Sequence, residues 1–302
     1  MSNKPKHSYN LSNRVENSHS EGVWAVSWPT SGDIITGSLD GTTKIWDTSG
    51  NNVSLKFTSN KHNLGVNSIA STQDGSITIV CHQDSVIKFY DVINKTEVKE
   101  LNPGLLEAWS ICLSPGDDVL ASGNRNGAIN IWSMQDDNEK VATLETNNKF
   151  ILSTCFNSDG KLASAGIDGI ANLFDLNTQQ IIHKLEAHAL PIRSTKFSPD
   201  GSLIYTASED RHVSIYDIKS GQLINSFSHA GKALSVDTST DSRHFLVGSS
   251  DHNVYLWDLG MQKCISKYKS HTELVWGVCY DKSSNSSRFV SVGDDSLIQL
   301  YE

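Results

Sequence analysis

The feature that most restricts the fold of this chain is a phrase repeated seven times. GSLDGTTKIWD at residues 37 to 47 returns as GSSDHNVYLWD at 248 to 258, and shorter echoes lie between and beyond them. Each echo ends on an aromatic residue after a β-branched or aliphatic stretch: Trp46, Tyr90, Trp132, Phe174, Tyr216, Trp257 and Tyr301. The aromatics follow one another at intervals of 41 to 44 residues, and a fixed period of that length means an array of like units. Six residues before each aromatic stands a turn residue: Asp40, Asp84, Asn126, Asp168, Asp210, Asp251 and Asp295. Short polar residues there, mostly beside Gly or another small polar residue, are tight-hairpin chemistry.

Inside one unit, HALPIRSTKFSPDGSLIYTASEDRHVSIYD (188 to 217) reads as strand, SPDG turn, strand, EDRH turn, strand, and QQIIHKLEA upstream supplies a fourth strand. Four short strands per unit, opened by His and closed by Trp-Asp or a variant of it, resemble the WD-repeat family over essentially the whole chain. The resemblance implies an all-β protein, one seven-bladed propeller spanning 1–302. Its repeats run over approximately 8–47, 48–91, 92–133, 134–175, 176–217, 218–258 and 259–302. The last unit stops at Tyr301-Glu302, one strand short. Residues 8–18 lie before His19 as a fourth strand lies before His188, so they are expected to complete the seventh blade and close the ring, covering edges that an open array would expose.

Composition removes several functions. The net charge of −9, with 25 Lys and Arg scattered along 302 residues, does not provide a phosphate-tracking surface, so no direct nucleic-acid partner is expected. No apolar run is long enough to span a membrane, and the opening residues lack the apolar core of a secretory signal; a cytoplasmic and nuclear protein is expected. Cys81, Cys112, Cys155, Cys264 and Cys279 include no C-x-x-C pair and read as reduced packing residues. Phosphate-loop, dinucleotide, zinc-protease and nucleophile-elbow motifs are all missing, and the histidines outside the repeat position show no ligand spacing. No cofactor and no metal are expected.

His, Asp and a hydroxyl do recur together, as in a hydrolase triad. They recur, however, at the same offsets in several units: His19, Thr36, Asp40 and Trp46; His188, Thr206, Asp210 and Tyr216; His271, Ser291, Asp295 and Tyr301. A nucleophile needs one site with an oxyanion hole, not copies of it, so no enzyme is expected. The family resemblance implies instead a buried hydrogen-bond network that ties the inter-blade loop to the hairpin. Units three and four carry Gly104 and Asn147 in place of the His, and unit two carries Val80 in place of the hydroxyl, so those blades are expected to hold by packing alone.

Function must then lie in a surface. In WD-repeat proteins the residues three and five after the His position, and the one before the turn Asp, ring the channel mouth and commonly meet partners. Carried onto this sequence, those positions hold Trp24, Leu39, Trp109, Arg125, Phe150, Leu152, Ile167, Arg193, Leu234, Leu274 and Trp276. So many aromatic and aliphatic residues exceed what a water-facing rim needs, and they mark an interaction site. The alternative is that some of them lean inward and plug the channel. Two arginines are few for a phosphate reader, so an apolar peptide or helix is the expected ligand, with Arg125 and Arg193 orienting a carboxylate or carbonyl.

A narrower resemblance rests on KFILSTCFNSDGKLASAGIDGIANLFD (149 to 175), HALPIRSTKFSPDG (188 to 201), AWSICLSPGDD (108 to 118), VWGVCY (275 to 280) and FVSVGDDSLIQLYE (289 to 302). These segments are similar to the WD-repeat subunits of the superkiller (Ski) complex, shared in animals with the RNA polymerase II-associated factor (Paf) complex. That similarity implies a non-catalytic adaptor, monomeric on its own, that docks on a tetratricopeptide scaffold beside an RNA helicase. It would support exosome-mediated 3′-to-5′ mRNA decay and, with the Paf complex subunits, transcription elongation. A substrate receptor of a ubiquitin ligase or a histone-tail reader is the alternative.

Overall fold

The computed structural model describes residues 8–50, 52–135, 139–146, 149–269 and 271–302. Among them are twenty-eight strands in seven four-stranded antiparallel sheets, with no helix. Six sheets take their four strands in chain order, blade one for example from Val23–Ser27, Ile34–Ser38, Thr43–Asp47 and Ser54–Thr58. The seventh, built on Val275–Tyr280, Phe289–Gly293 and Ile298–Tyr301, receives its outer strand from the other end of the chain, Leu11–Val15.

Burial follows from this arrangement. Blades stack face to face, so a middle strand is covered on both sides and needs small or apolar residues at every position: Ile34–Ser38 (IITGS) and His244–Ser249 (HFLVGS) are buried throughout. Outer strands face water and alternate freely, as Ser54–Thr58 does. Closure is antiparallel, Leu11 opposite Tyr301, then past a one-residue slip at Ser12, Asn13 opposite Leu300, Arg14 opposite Gln299 and Val15 opposite Ile298. Ahead of that strand, Tyr9 is buried edge-on against Phe289 with ring centroids 5.0 Å apart, and its hydroxyl donates to the Ser286 carbonyl at 2.7 Å.

Around the channel the innermost strands would leave backbone N–H groups unpaired, a cost that structures avoid. Here a side chain on one blade accepts from the N–H of the next. Ser68 takes Ile111 (3.1 Å), Ser110 takes Thr154 (2.9 Å), Ser153 takes Thr195 (2.9 Å), Ser194 takes Val236 (3.3 Å), and Asp237 takes Tyr280 (2.8 Å). Blades one and seven carry Ala25 and Gly277 at the serine position. There the contact is steric: a Cβ on Gly277 would stand 2.7 Å from Val292 Cγ2 and 2.8 Å from Val26 Cγ1.

Candidate protein-docking surface

The repeated polar residues are buried ties. In blade one the His19 ring spans Thr36 Oγ1 (2.8 Å) and Asp40 Oδ2 (3.3 Å), and Trp46 Nε1 donates to Thr36 Oγ1 at 2.9 Å. Asp40 also accepts from the Ser20 and Thr42 amides and the Thr42 hydroxyl. Burial pushes its carboxyl upward, but the bonds from His19, Thr42 and Ser20 prevail and hold it well below the usual carboxylate range. Burial likewise keeps His19 and His188 below the ordinary imidazole value, partly opposed by their aspartates. His188 meets Asp210 and Thr206 at 2.8 Å each; His271 meets Asp295 at 3.0 Å and Ser291 at 2.7 Å.

The tyrosines at the Trp position behave differently. Tyr216 is buried beside its trio but makes no hydrogen bond to Thr206, which donates to the Ser214 carbonyl instead, and Tyr301 donates its hydroxyl to Gln299 at 2.9 Å. A phenol carries its donor at the ring's far end, whereas an indole carries it on the flank that faces the hydroxyl.

Nor are units two and three held by packing alone. His62 pairs with Asp84 at 2.8 Å and lies tilted against His82 with centroids 4.0 Å apart, while Trp132 donates to Ser122 at 2.9 Å and Asn124 accepts from the Asn126 and Ala128 amides. Asn147 lies outside the described residues. Unit six carries Val247 at the hydroxyl position, and there Trp257 Nε1 reaches His229 Nε2 directly at 3.0 Å.

The mouth residues owe their orientation to an irregularity. In six blades the register of the inner strand slips by one residue, and the residues skipped are Trp24, Asn67, Leu152, Arg193, Leu234 and Trp276. A bulge bends a strand and re-aims the extra side chain. In blade three Trp109 immediately precedes the inner strand Ser110–Leu113.

Two aromatic walls result. Trp24 and Trp276 lie 4.9 Å apart between centroids, with Trp24 Nε1 donating to Asp294 at 3.0 Å and Trp276 Nε1 buried without a partner. Arg193 lies over Trp276 at 5.9 Å and gives its Nε to Glu209 at 2.6 Å, a carboxylate that Lys232 also reaches at 2.5 Å. In the other wall Trp109 meets Phe150 edge-on at 5.0 Å, and the Arg125 guanidinium lies 4.7 Å from the first ring and 5.5 Å from the second. Ile167 is exposed; Leu39, Leu152 and Leu274 are half-buried. Leu234 is only 4% exposed, so it fills the interior and presents nothing to a partner.

Exposed leucines outside the three aligned positions extend the apolar rim. Leu64, Leu106 and Leu190, each two residues after the His position, are 44%, 44% and 47% exposed, and Leu105 is 82% exposed. Lining up the repeats at that position would have found three of them. Beneath the mouth the channel encloses about 620 Å³. Lys196 and Asp237 pair within it at 3.3 Å. Burial pushes the channel thiols of Cys155 and Cys279 up to about 11 and 12, which removes their nucleophilic character at neutral pH.

Comparison with known proteins agrees with this architecture. The family model described as "WD domain, G-beta repeat" matches residues 11–47, 54–91, 106–133, 138–175, 179–217, 221–258 and 262–302. The chain belongs to the WD-repeat family. WD-repeat propellers of this kind generally serve as non-catalytic scaffolds. Among similar proteins, WD repeat-containing protein SL1-17 of Schistosoma mansoni is 31% identical over 94% of this chain and 96% of its own length. WD repeat-containing protein VIP3 of Arabidopsis thaliana is 32% identical over 61% and 63%, and meiotic recombination protein rec14 of Schizosaccharomyces pombe is 28% identical over 72% of each.

Proposed function

We propose that this WD-repeat propeller is an adaptor subunit of the superkiller complex and of the RNA polymerase II-associated factor complex, present in cytoplasm and nucleus. It docks on the tetratricopeptide scaffold through its channel mouth. The observation that carries the reading is the pair of aromatic walls, Trp24 with Trp276, turned out by strand bulges, and Trp109 with Phe150, each placed just ahead of an inner strand, all four left half-buried at the mouth instead of being folded into the core. Aromatic and arginine side chains set in a partly desolvated ring are where binding energy concentrates. The segments 149–175, 188–201 and 275–302, which resemble superkiller WD-repeat subunits, give the reading its choice of partner. A phosphodegron receptor is disfavoured because Glu209 neutralises Arg193 and leaves no cationic cluster at the mouth among the described residues.

The test is a titration of fragments of the scaffold subunit against wild type, Trp24→Ala and Trp276→Ala, with thermal unfolding in parallel. Truncating an aromatic anchor costs about 2 kcal/mol, close to thirtyfold in affinity. Both variants are expected to weaken binding by that order while melting near wild type. Unchanged affinity in both, or loss of stability matching the loss of binding, refutes the docking role.

A further inference from the structure

Three of the ring positions at the mouth carry a positive charge, and they are not equivalent. Arg193 and Lys232 share the Glu209 carboxylate. Arg125 has no such partner: among the described residues no carboxylate pairs with it, Nη2 makes a single long contact to the Gln83 carbonyl at 3.4 Å, and Nε is buried with no acceptor. Glu107, an acidic residue in the same blade's approach loop, accepts from Asn130 Nδ2 at 2.9 Å. Two ring faces, of Trp109 and Phe150, hold the guanidinium in place. An arginine keeps its charge in every such setting, and a partly desolvated charge without a counter-ion is costly unless something arrives to pair with it.

Exposed apolar residues lie on the segments that the backbone ties to the clamp. The Arg125 amide donates to the Leu106 carbonyl at 3.0 Å, and the Ile167 amide donates to the Phe150 carbonyl at 3.0 Å. Leu105, Leu106 and Ile167 are 82%, 44% and 43% exposed. The chain as a whole carries −9, so Arg125 is a cation without a carboxylate partner on an acidic protein.

Resting on the docking role of the mouth, we propose that the Arg125 clamp sets its specificity: it takes a partner segment in which one Asp or Glu is flanked by bulky aliphatic or aromatic residues. The carboxylate fits the guanidinium fork, which bonds it in bidentate fashion, while the flanking side chains cover Leu105, Leu106 and Ile167. A free carboxylate would leave that collar wet, and a basic segment would meet an uncompensated cation.

The experiment selects random dodecapeptides displayed on phage against the full chain, then titrates the enriched peptides against wild type, Arg125→Met, Arg125→Lys and Trp24→Ala. The expected consensus holds one acidic residue between apolar ones. Arg125→Met, or Asp→Asn or Glu→Gln in the peptide itself, should each weaken binding about thirtyfold, as loss of one partner of a desolvated charge pair does, with Arg125→Lys in between. The peptide substitution reads the same pair without touching the protein, so an unstable Arg125 variant does not blunt the test. A neutral or basic consensus lost in Trp24→Ala and kept in Arg125→Met overturns the inference while the docking role stands. Peptides that bind all variants equally, or no enrichment at all, overturn both.

Discussion

Ring closure depends on Tyr9 and the strand behind it, and that dependence can be graded. Tyr9 is 5% exposed, with its ring 5.0 Å from Phe289 and 6.5 Å from Tyr280 and its hydroxyl on the Ser286 carbonyl. Burial raises that hydroxyl's pKa to about 12, so it remains a donor across the usable pH range. Tyr9→Phe removes one buried hydrogen bond and should cost about 1 kcal/mol. Tyr9→Ala removes the ring and leaves a hole against aromatic neighbours, about 3 to 5 kcal/mol. Removing residues 1 to 18 strips the partner from Ile298–Tyr301, a wholly buried strand, and also loses the Ser18 hydroxyl bond to the Ser296 carbonyl at 2.8 Å; it should cost most and expose the ring's one junction made by chain ends. Urea unfolding followed by tryptophan fluorescence gives the ordering from the midpoints. If the truncation or Tyr9→Ala unfolds at the wild-type midpoint with an unchanged slope, the N-terminal strand does not close the ring and the reasoning fails.

Asp40→Ala removes one of the His19 ring's partners and strands the Ser20 and Thr42 amides, so a destabilisation of about 1 to 3 kcal/mol is expected, with affinity at the mouth unchanged once the fold is populated; wild-type stability would show that the network is not a tie. His82 and His229 should make the protein acid-sensitive. Burial lowers both to about 4, the neighbouring His62 adding to the effect at His82, whereas the unfolded chain titrates them near the ordinary value of 6.5. The unfolded state therefore binds protons first, and stability contributed above pH 6.5 is lost as pH falls toward 4, with a slope of up to about 1.4 kcal/mol per pH unit for each histidine. Denaturation midpoints of wild type and of His82→Asn with His229→Gln, measured at pH 7 and 5, check this: the double variant should lose less on acidification, and an equal loss would place the sensitivity elsewhere.

Much of the molecule was legible in one dimension because its grammar is local. A hairpin needs its turn residue within a few positions of its strands, and a blade buried on both faces needs an apolar middle strand, so the period from Trp46 to Tyr301, the strand count and the missing strand of the last unit all stand in the sequence. The bulges that turn Trp24, Leu152 and Trp276 into the mouth follow from how each inner strand seats on its partner, a matter of register. Pairing within and between blades was decided only in three dimensions. Glu209 silences Arg193 and leaves Arg125 bare, Leu234 sinks while Leu105 stands out, and Trp24 meets Trp276 across the closure. These choices depend on groups tens to hundreds of residues apart in the chain, brought within a few ångströms by the ring, where a difference of a single carboxylate or one fully covered side chain decides whether a position binds a partner or fills the interior.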